Sequence, residues 1–308
     1  MSRVAFLFPG QGSHELGMGR AFAEAFPEAR AVYDDAAEAV GFDLARLCFE
    51  GPLEELTKTE LQQPALVATS LACLRAVETT GIRPDVVLGH SVGEYAALAA
   101  SGALSDRDAV ALVSVRGKVT AAAAEESPGA MAAVLGLEDA DVEALCAEIG
   151  GVWPANYNCR GQLVVSGESA AVDRLVDEAP ARGARKVVKL RVTGAFHSPL
   201  VASAADGLRP AVERAEWREP EIPFMSTVTA ALEPAAALPQ ILLDQLTAPV
   251  RFTHAIAALV ADGVGTFVEV GPGKVLSGLV RRCDRSVRTL SVGDPEGLEK
   301  LEEAISAV

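Results

Sequence analysis

Asp85-Val86-Val87-Leu88-Gly89-His90-Ser91-Val92-Gly93-Glu94-Tyr95-Ala96-Ala97-Leu98 reads as a short apolar strand, a tight turn and a helix. A brief apolar run closed by glycine is what a strand buried on both faces of a parallel sheet looks like. In that context Gly89-x-Ser91-x-Gly93 predicts a serine held at a sharp strand-to-helix turn, its hydroxyl raised over the end of the sheet. The flanking glycines leave room for chain to approach chain, and the strain of such a turn, about 1–3 kcal/mol, persists where the surroundings enforce it. The Val92 N–H would then aim at the carbonyl oxygen of any group attacked by Ser91, with the helix N-terminus adding its partial positive charge. Without a reaction the same string would be a tight turn of small residues, but its strand-helix setting favours a nucleophile.

The rhythm repeats on both sides of this stretch. Val4–Phe8 and Phe267–Val270 are apolar runs that each end in a Gly-containing turn and lead into a helical pattern, so the body reads as α/β with a parallel sheet. Gly93–Ala100 and Asp106–Ala124 are Ala-rich helices, the second entered through Ser105 as N-cap. Between Pro128 and Val192 the order changes to strand Ala130–Leu135, helix Ala140–Ile149, strands Val152–Tyr157 and Gln162–Ser166, helix Ser169–Arg182 and strand Arg185–Val192. This β-α-β-β-α-β order is the ferredoxin-like motif. Its ends, Ser127-Pro128-Gly129 and Thr193-Gly194, carry residues that break regular structure. The expected organisation is a body of residues 1–127 and 193–308 with an inserted subdomain at 128–192, and a ligand cleft between them.

The composition excludes several function classes. In 308 residues, 27 Lys and Arg stand against 42 Asp and Glu, a net charge of −15, with no basic run. Nothing here would neutralise a nucleic-acid backbone or an anionic membrane surface. No stretch of about 18 apolar residues occurs without a charge or a histidine, which argues against a membrane span. The apolar run at the N-terminus is too short for a secretory signal, and the five cysteines are scattered without a CxxC pair. A cytoplasmic protein with reduced thiols and no metal is expected.

A nucleophilic serine needs a base, and the chain has four histidines: His14, His90, His197 and His254. His90 adjoins Ser91 but its ring should point away from the hydroxyl. His254 falls in a helical pattern that suits a partly buried structural histidine, and His14 lies in the first loop. His197, in Gly194-Ala195-Phe196-His197-Ser198-Pro199, sits where the chain leaves the insertion beside the expected cleft, and is the best base. The group that orients it is not evident. Asp106, Asp108, Asp139, Asp141, Asp173 and Asp177 lie between Ser and His without distinguishing context, and a backbone carbonyl can serve instead.

Two glycine-rich loops fail as nucleotide motifs. Gly10-Gln11-Gly12 has Glu15 where a dinucleotide fingerprint needs its third glycine, and Gly271-Pro272-Gly273-Lys274 is followed by Val275 rather than Ser or Thr. Both instead offer backbone N–H groups at the carboxyl ends of strands, where open α/β sheets bind ligands.

With Ser91 and His197 in place, the whole chain resembles the malonyl-CoA:acyl carrier protein transacylases of fatty-acid and polyketide synthesis. The resemblance runs through Phe8-Pro9-Gly10-Gln11-Gly12-Ser13, Gly89-His90-Ser91-Val92-Gly93-Glu94, Arg116-Gly117, Asn156-Tyr157-Asn158 with Gly161-Gln162, Gly194-Ala195-Phe196-His197, Gln245-Leu246 with Pro249-Val250, and Val270-Gly271-Pro272-Gly273-Lys274. It implies an α/β-hydrolase-like body with a ferredoxin-like insertion, Ser91 as nucleophile and His197 as general base and acid. It further implies an oxyanion hole from the N–H groups of Gln11 and Val92, and the Gln245 carbonyl as the group that orients His197. Arg116 would bind the malonyl carboxylate through two parallel charge-assisted hydrogen bonds, although on its helix it could equally be a surface arginine. Phe196, His90 and Asn158 are implied at the substrate, with the Phe196 ring crowding a branched acyl group or simply packing in the core. His14 stands where many relatives have Gln, and Phe252 where many have Trp.

The implied reaction is ping-pong transfer of malonyl from malonyl-CoA to the phosphopantetheine thiol of an acyl carrier protein, by a monomer that needs no cofactor. Carrier proteins are acidic, so docking would need local positive charge, with Arg185, Lys186, Lys189, Arg191, Lys274, Arg281, Arg282 and Arg285 as candidates.

Overall fold

The structure is a computed structural model that describes residues 3–192 and 194–306; Thr193, read above as part of the break that ends the insertion, lies outside the described residues, as do the two residues at each end. Nine strands form two sheets among the described residues: β1 (Arg3–Phe8), β2 (Val86–Gly89), β3 (Gly129–Leu135), β4 (Val152–Cys159), β5 (Gln162–Glu168), β6 (Lys186–Lys189), β7 (Phe224–Met225), β8 (Val264–Val270) and β9 (Arg288–Val292).

The larger sheet has the order β7-β2-β1-β8-β9 and every pairing in it is parallel. Its three central strands are almost wholly buried, as apolar runs without polar alternation predict. Successive side chains feed opposite faces. Phe6 and Phe8 join one core with Val87, Val268 and the helices Thr59–Glu78, Gly93–Ala100 and Asp106–Glu126. Ala5 and Leu7 join another with Val86, Leu88 and the helices Phe252–Ala261 and Val275–Cys283. The chain is therefore α/β, with helices on both faces of a parallel sheet.

The smaller sheet is antiparallel, in the order β4-β5-β3-β6, with helices Asp139–Ile149 and Ser169–Glu178 between its strands. Ala132, Val134, Leu163 and Val165 pack under those helices. Met131, Ala133 and Val164, on the alternate positions, join the core of the larger unit. A backbone pair, Tyr157 N–H to Val250 O and Val250 N–H to Ala155 O, both 2.8 Å, ties the outer strand to the segment before Phe252. The small sheet is thus seated on the body, and the two meet around a cavity.

Element by element, the expectation held for Gly93–Ala100, and the helix expected over Asp106–Ala124 runs on to Glu126, with its N-cap Ser105 accepting from the Asp108 N–H. Two need correction. The helix expected over Ser169–Arg182 gives way at Ala179 to a 3₁₀ turn, because Pro180 removes a backbone donor. The strand expected over Arg185–Val192 spans only Lys186–Lys189; Leu190 keeps one backbone bond to Met131 O at 2.9 Å, and with Arg191 and Val192 it lines the cavity. No helix among the described residues is long and apolar enough to cross a membrane.

Candidate active site

Ser91 lies between β2 and the helix Gly93–Ala100 with φ at +52°, a left-handed conformation that a side chain adopts only under constraint. The constraint is close packing of backbone. A Cβ on Gly89 would stand 2.1 Å from the Gly93 carbonyl carbon, and one on Gly93 would stand 2.1 Å from the Phe8 oxygen. Only glycine lets β1, β2 and the helix meet there, and their meeting lifts Ser91 into the left-handed region.

His197 is also left-handed, with φ at +57°, and reaches the same point from the loop after the small sheet. Its Nε2 is 2.7 Å from Ser91 Oγ. Its Nδ1 faces two carbonyl oxygens, Gln245 O at 2.9 Å and Ala248 O at 3.1 Å. Carbonyls only accept, so Nδ1 carries the proton, and Nε2 accepts the hydrogen of the Ser91 hydroxyl. Burial pushes the His197 imidazole down to about 3, and the charges of Arg116 and His90 press the same way. The ring is neutral at physiological pH and free to take a proton.

Arg116 is buried, only 3% exposed, which excludes the surface reading. Its helix packs against Thr59–Glu78 so closely that a Cβ on Gly117 would stand 2.9 Å from Glu60 Cα. Its Nη1 donates to Gln63 Oε1 at 2.7 Å and its Nη2 to Ser91 Oγ at 3.2 Å, while Nε finds no partner. Gln63 is held in turn by Thr120 Oγ1 at 3.2 Å, and Thr120 donates back to the Arg116 carbonyl at 2.7 Å. No ion pair among the described residues includes Arg116, although Glu94 is close enough for its charge to be felt. A guanidinium stays protonated even when desolvated, so the site holds a buried cation beside the serine with no carboxylate bonded to it among the described residues.

A cavity of about 410 Å³ opens over Ser91 and His197. One wall is polar, with Gln11, His14, Thr57 and Gln62; the other is apolar, with Met131, Leu190, Val192 and Phe196. Gln11 lines the cavity, and neither its N–H nor that of Val92 donates to another group among the described residues. Arg116, Val92 and Gln245 sit directly behind the Ser91 and His197 surfaces rather than on the wall.

The other candidates divide. His90 lines the cavity but turns its Nε2 to Asn158 Oδ1, 2.9 Å away, as its expected aim away from Ser91 requires. Asn158 itself does not reach the wall; Asn156, two residues earlier on the same strand, does. His254 is not the partly buried histidine expected but an exposed one, set edge-on to Tyr157 at 5.4 Å. His14 bonds Gln62 Nε2 through Nδ1 at 2.9 Å and does not touch Ser91. Of the six aspartates weighed for orienting the base, Asp106 pairs with Arg75 and Asp173 with Lys189, and none contacts His197. Of the basic candidates, Lys189 is tied to Asp173, Arg282 donates to Gln162, and Arg191 stands exposed at the cavity wall. Among the described residues no three His, Cys, Asp or Glu side chains are placed to hold a metal ion. Sequence reasoning missed Gln63 and Glu94, both buried beside the reacting groups.

Residues 5–296 match the family model described as acyl transferase domain. The malonyl CoA-acyl carrier protein transacylase of Bacillus subtilis (strain 168) is 44% identical over 307 residues, covering 97% of this chain and 96% of the relative. The enzyme of the same name from Staphylococcus aureus (strain MRSA252) is 37% identical over 98% of this chain and 99% of its own. Among solved structures, the malonyl-CoA:acyl carrier protein transacylase of Xanthomonas oryzae superposes with a TM-score of 0.95 at 44% identity, covering 99% of this chain and 98% of that one. A malonyl-transacylase solved with its type II PKS acyl-carrier protein also gives 0.95, at 38% identity, over 98% of this chain and 100% of that one. The chain belongs to the acyl transferase domain family and, within it, to the malonyl CoA-acyl carrier protein transacylases.

Proposed function

We propose that this chain moves a malonyl group from malonyl-CoA to the phosphopantetheine thiol of an acyl carrier protein, in fatty-acid or polyketide synthesis, through a malonyl ester on Ser91. The observation that carries the reading is the buried Arg116, in no ion pair among the described residues, whose Nη2 lies 3.2 Å from Ser91 Oγ. Malonyl differs from acetyl by one carboxylate, and a cation at that distance from the nucleophile suits an acyl group charged at its far end.

In the first half-reaction His197 Nε2 takes the Ser91 proton as Oγ adds to the thioester carbonyl. The Gln11 and Val92 N–H groups hold the oxyanion. Collapse breaks the C–S bond, and the imidazolium returns the proton to the leaving CoA thiolate. The carrier thiol then gives its proton to His197 as its sulfur adds to the Ser91 ester carbonyl; collapse breaks the bond to Oγ, the imidazolium returns the proton to Ser91, and the carrier leaves with malonyl as its thioester. The Gln245 carbonyl keeps Nδ1 protonated throughout, the duty a carboxylate has in the Ser-His-Asp arrangement. Phe196 crowds a branched acyl group, while His90, held by Asn158, shapes the approach to the serine. No metal or redox cofactor enters these steps.

At the level of fold, the reading is a hydrolase-like body at 1–127 and 193–308 carrying a ferredoxin-like insertion at 128–192, supported by the β4-β5-β3-β6 order of the small sheet. Carrier docking draws on Arg191 at the cavity wall. The five free cysteines suit a monomer working in a reducing cytoplasm.

The test is to supply malonyl-CoA with a phosphopantetheinylated carrier protein and follow the carrier by mass. Malonyl-carrier should form faster than free malonate; free malonate as the main product would mean that water is the acceptor and sink the transferase reading.

The pH dependence follows from His197. Its folded pKa is about 3 against an unperturbed 6.5, so the base stays neutral well below pH 6.5. The acylation rate of Ser91 is expected to stay flat from pH 7.5 to about 5, with no inflection near 6.5. Stability behaves differently. His90 is lowered by burial too, so below pH 6.5 the unfolded chain takes up protons that the folded chain refuses at both rings. Stability is full above 6.5 and falls with decreasing pH by up to about 1.4 kcal/mol per unit for each histidine. Stopped-flow acylation and urea melts across pH 5–8 check the two limbs; an acylation rate that halves at pH 6.5 contradicts the first.

A further inference from the structure

Glu94 follows the serine turn by three residues and has no exposed surface. A buried carboxylate is rare unless paired or fully hydrogen-bonded. This one is gripped on both oxygens. Oε1 accepts from the Thr227 N–H at 2.5 Å and the Thr227 hydroxyl at 2.8 Å. Oε2 accepts a short bond from Gln245 Nε2. The same Nε2 donates to the Ser91 carbonyl at 3.1 Å. Gln245 is itself fully buried, and its Oε1 has no partner among the described residues, so only its NH₂ half sets the side chain's orientation. At the end of the helix Leu238–Asp244 its backbone carbonyl is free of the helix and accepts from His197 Nδ1.

We infer that Glu94 is a positioning residue for the acyl transfer, acting through Gln245: its carboxylate locks the Gln245 side chain, and thereby the nearer of the two carbonyls that hold His197 in the Nδ1–H tautomer and the backbone that holds Ser91. The inference rests on the malonyl-transfer reading for its rate prediction. A lock of this kind needs an acceptor on the side facing Gln245 and an acceptor on the side facing Thr227. A carboxylate supplies both, whereas a carboxamide has one acceptor oxygen and must turn an NH₂ toward a donor. Burial pushes the Glu94 carboxyl up, while the Thr227 and Gln245 donors and the Arg116 charge pull it back.

The test uses the full chain with ¹⁵N-labelled histidine rings, His197→Gln identifying the His197 signals among those of the four histidines. In Glu94→Gln, kcat for malonyl transfer should fall about 10- to 100-fold, as for the loss of outer partners of a functional histidine, with KM within about threefold. The His197 signals should shift from a single Nδ1–H tautomer toward an average of the two, and Glu94→Asp should recover part of the rate. Gln245→Ala, which keeps the backbone carbonyl, should reproduce the Glu94→Gln loss, and the double variant should be no slower than either single one. Wild-type kcat with an unchanged His197 tautomer in Glu94→Gln, or losses that multiply in the double variant, would overturn the inference. If Glu94→Gln does not fold, Gln245→Ala carries the test, and wild-type values there overturn it equally. A wild type that fails to transfer malonyl would fault the functional reading alone, because the tautomer comparison needs no substrate.

Discussion

Ser91→Ala is expected to lower malonyl transfer by at least about 10⁴-fold, the scale on which serine nucleophiles contribute in comparable sites. The variant removes the one oxygen that receives a hydrogen bond from Arg116 and gives one to His197. It should leave the fold intact, because the left-handed turn is enforced by the glycine contacts around it rather than by the hydroxyl. Alanine at φ +52° is no worse placed than serine. The melting temperature should therefore stay close to that of the wild type while the covalent intermediate disappears. Steady-state transfer and a thermal melt on the same preparation check both statements, and a variant retaining a tenth of the rate would remove Ser91 from the reaction.

Arg116→Ala is expected to act on the choice of acyl group. Losing one partner of a desolvated charge pair costs about 2–5 kcal/mol, which corresponds to a factor of about 30 to several thousand. That loss should fall on kcat/KM for malonyl-CoA, with acetyl-CoA, which has no carboxylate to pair, changed by less than about tenfold. The preference between the two should narrow or invert. On the proposed reading a malonyl carboxylate would take the place of Ser91 Oγ on Arg116 Nη2, releasing the serine for attack. Arg116→Lys keeps a charge but not the planar fork, and should recover only part of the malonyl rate. The variant also leaves Gln63 Oε1 without its donor and takes the guanidinium from the Tyr95 ring, 5.9 Å away, so some stability should be lost. Competition between labelled malonyl-CoA and acetyl-CoA for Ser91 measures the ratio directly; equal losses on both would mean that Arg116 supports the site without reading the carboxylate.

What could be read ahead of the structure was local. The apolar runs that became β1, β2 and β8 were visible because parallel strands buried on both faces carry no polar alternation, and the Gly89-x-Ser91-x-Gly93 turn because its glycines are demanded by backbone contacts close in sequence. His197 emerged by comparison among four histidines, and the two-carbonyl clamp on its Nδ1 explains why no aspartate stood out. The fate of Arg116 was not local. Whether the side chain faces water or the core depends on Gly117 letting its helix close on Thr59–Glu78, a contact between segments more than fifty residues apart, so surface and buried readings were evenly matched beforehand.

Glu94 was legible in principle. It is the only charged residue in the helix Gly93–Ala100, an eight-residue segment buried on every side. A lone carboxylate in such a helix must have partners waiting. Its partners Thr227 and Gln245 come from segments more than a hundred residues away, so no local pattern marks it as a site residue. The shortening of the last strand of the small sheet has a similar origin: Lys186–Lys189 pairs with β3, but the next three residues line the cavity wall, which no strand pattern announces.

The central claim is that malonyl passes through an ester on Ser91. Intact-protein mass spectrometry after brief exposure to malonyl-CoA without a carrier protein, followed by peptide mapping, tests it most directly. One malonyl group per chain, mapped to the peptide carrying Ser91 and lost when carrier protein is added, is the predicted result. Release of CoA with no adduct on wild-type chain, or an adduct that persists in Ser91→Ala, would contradict it.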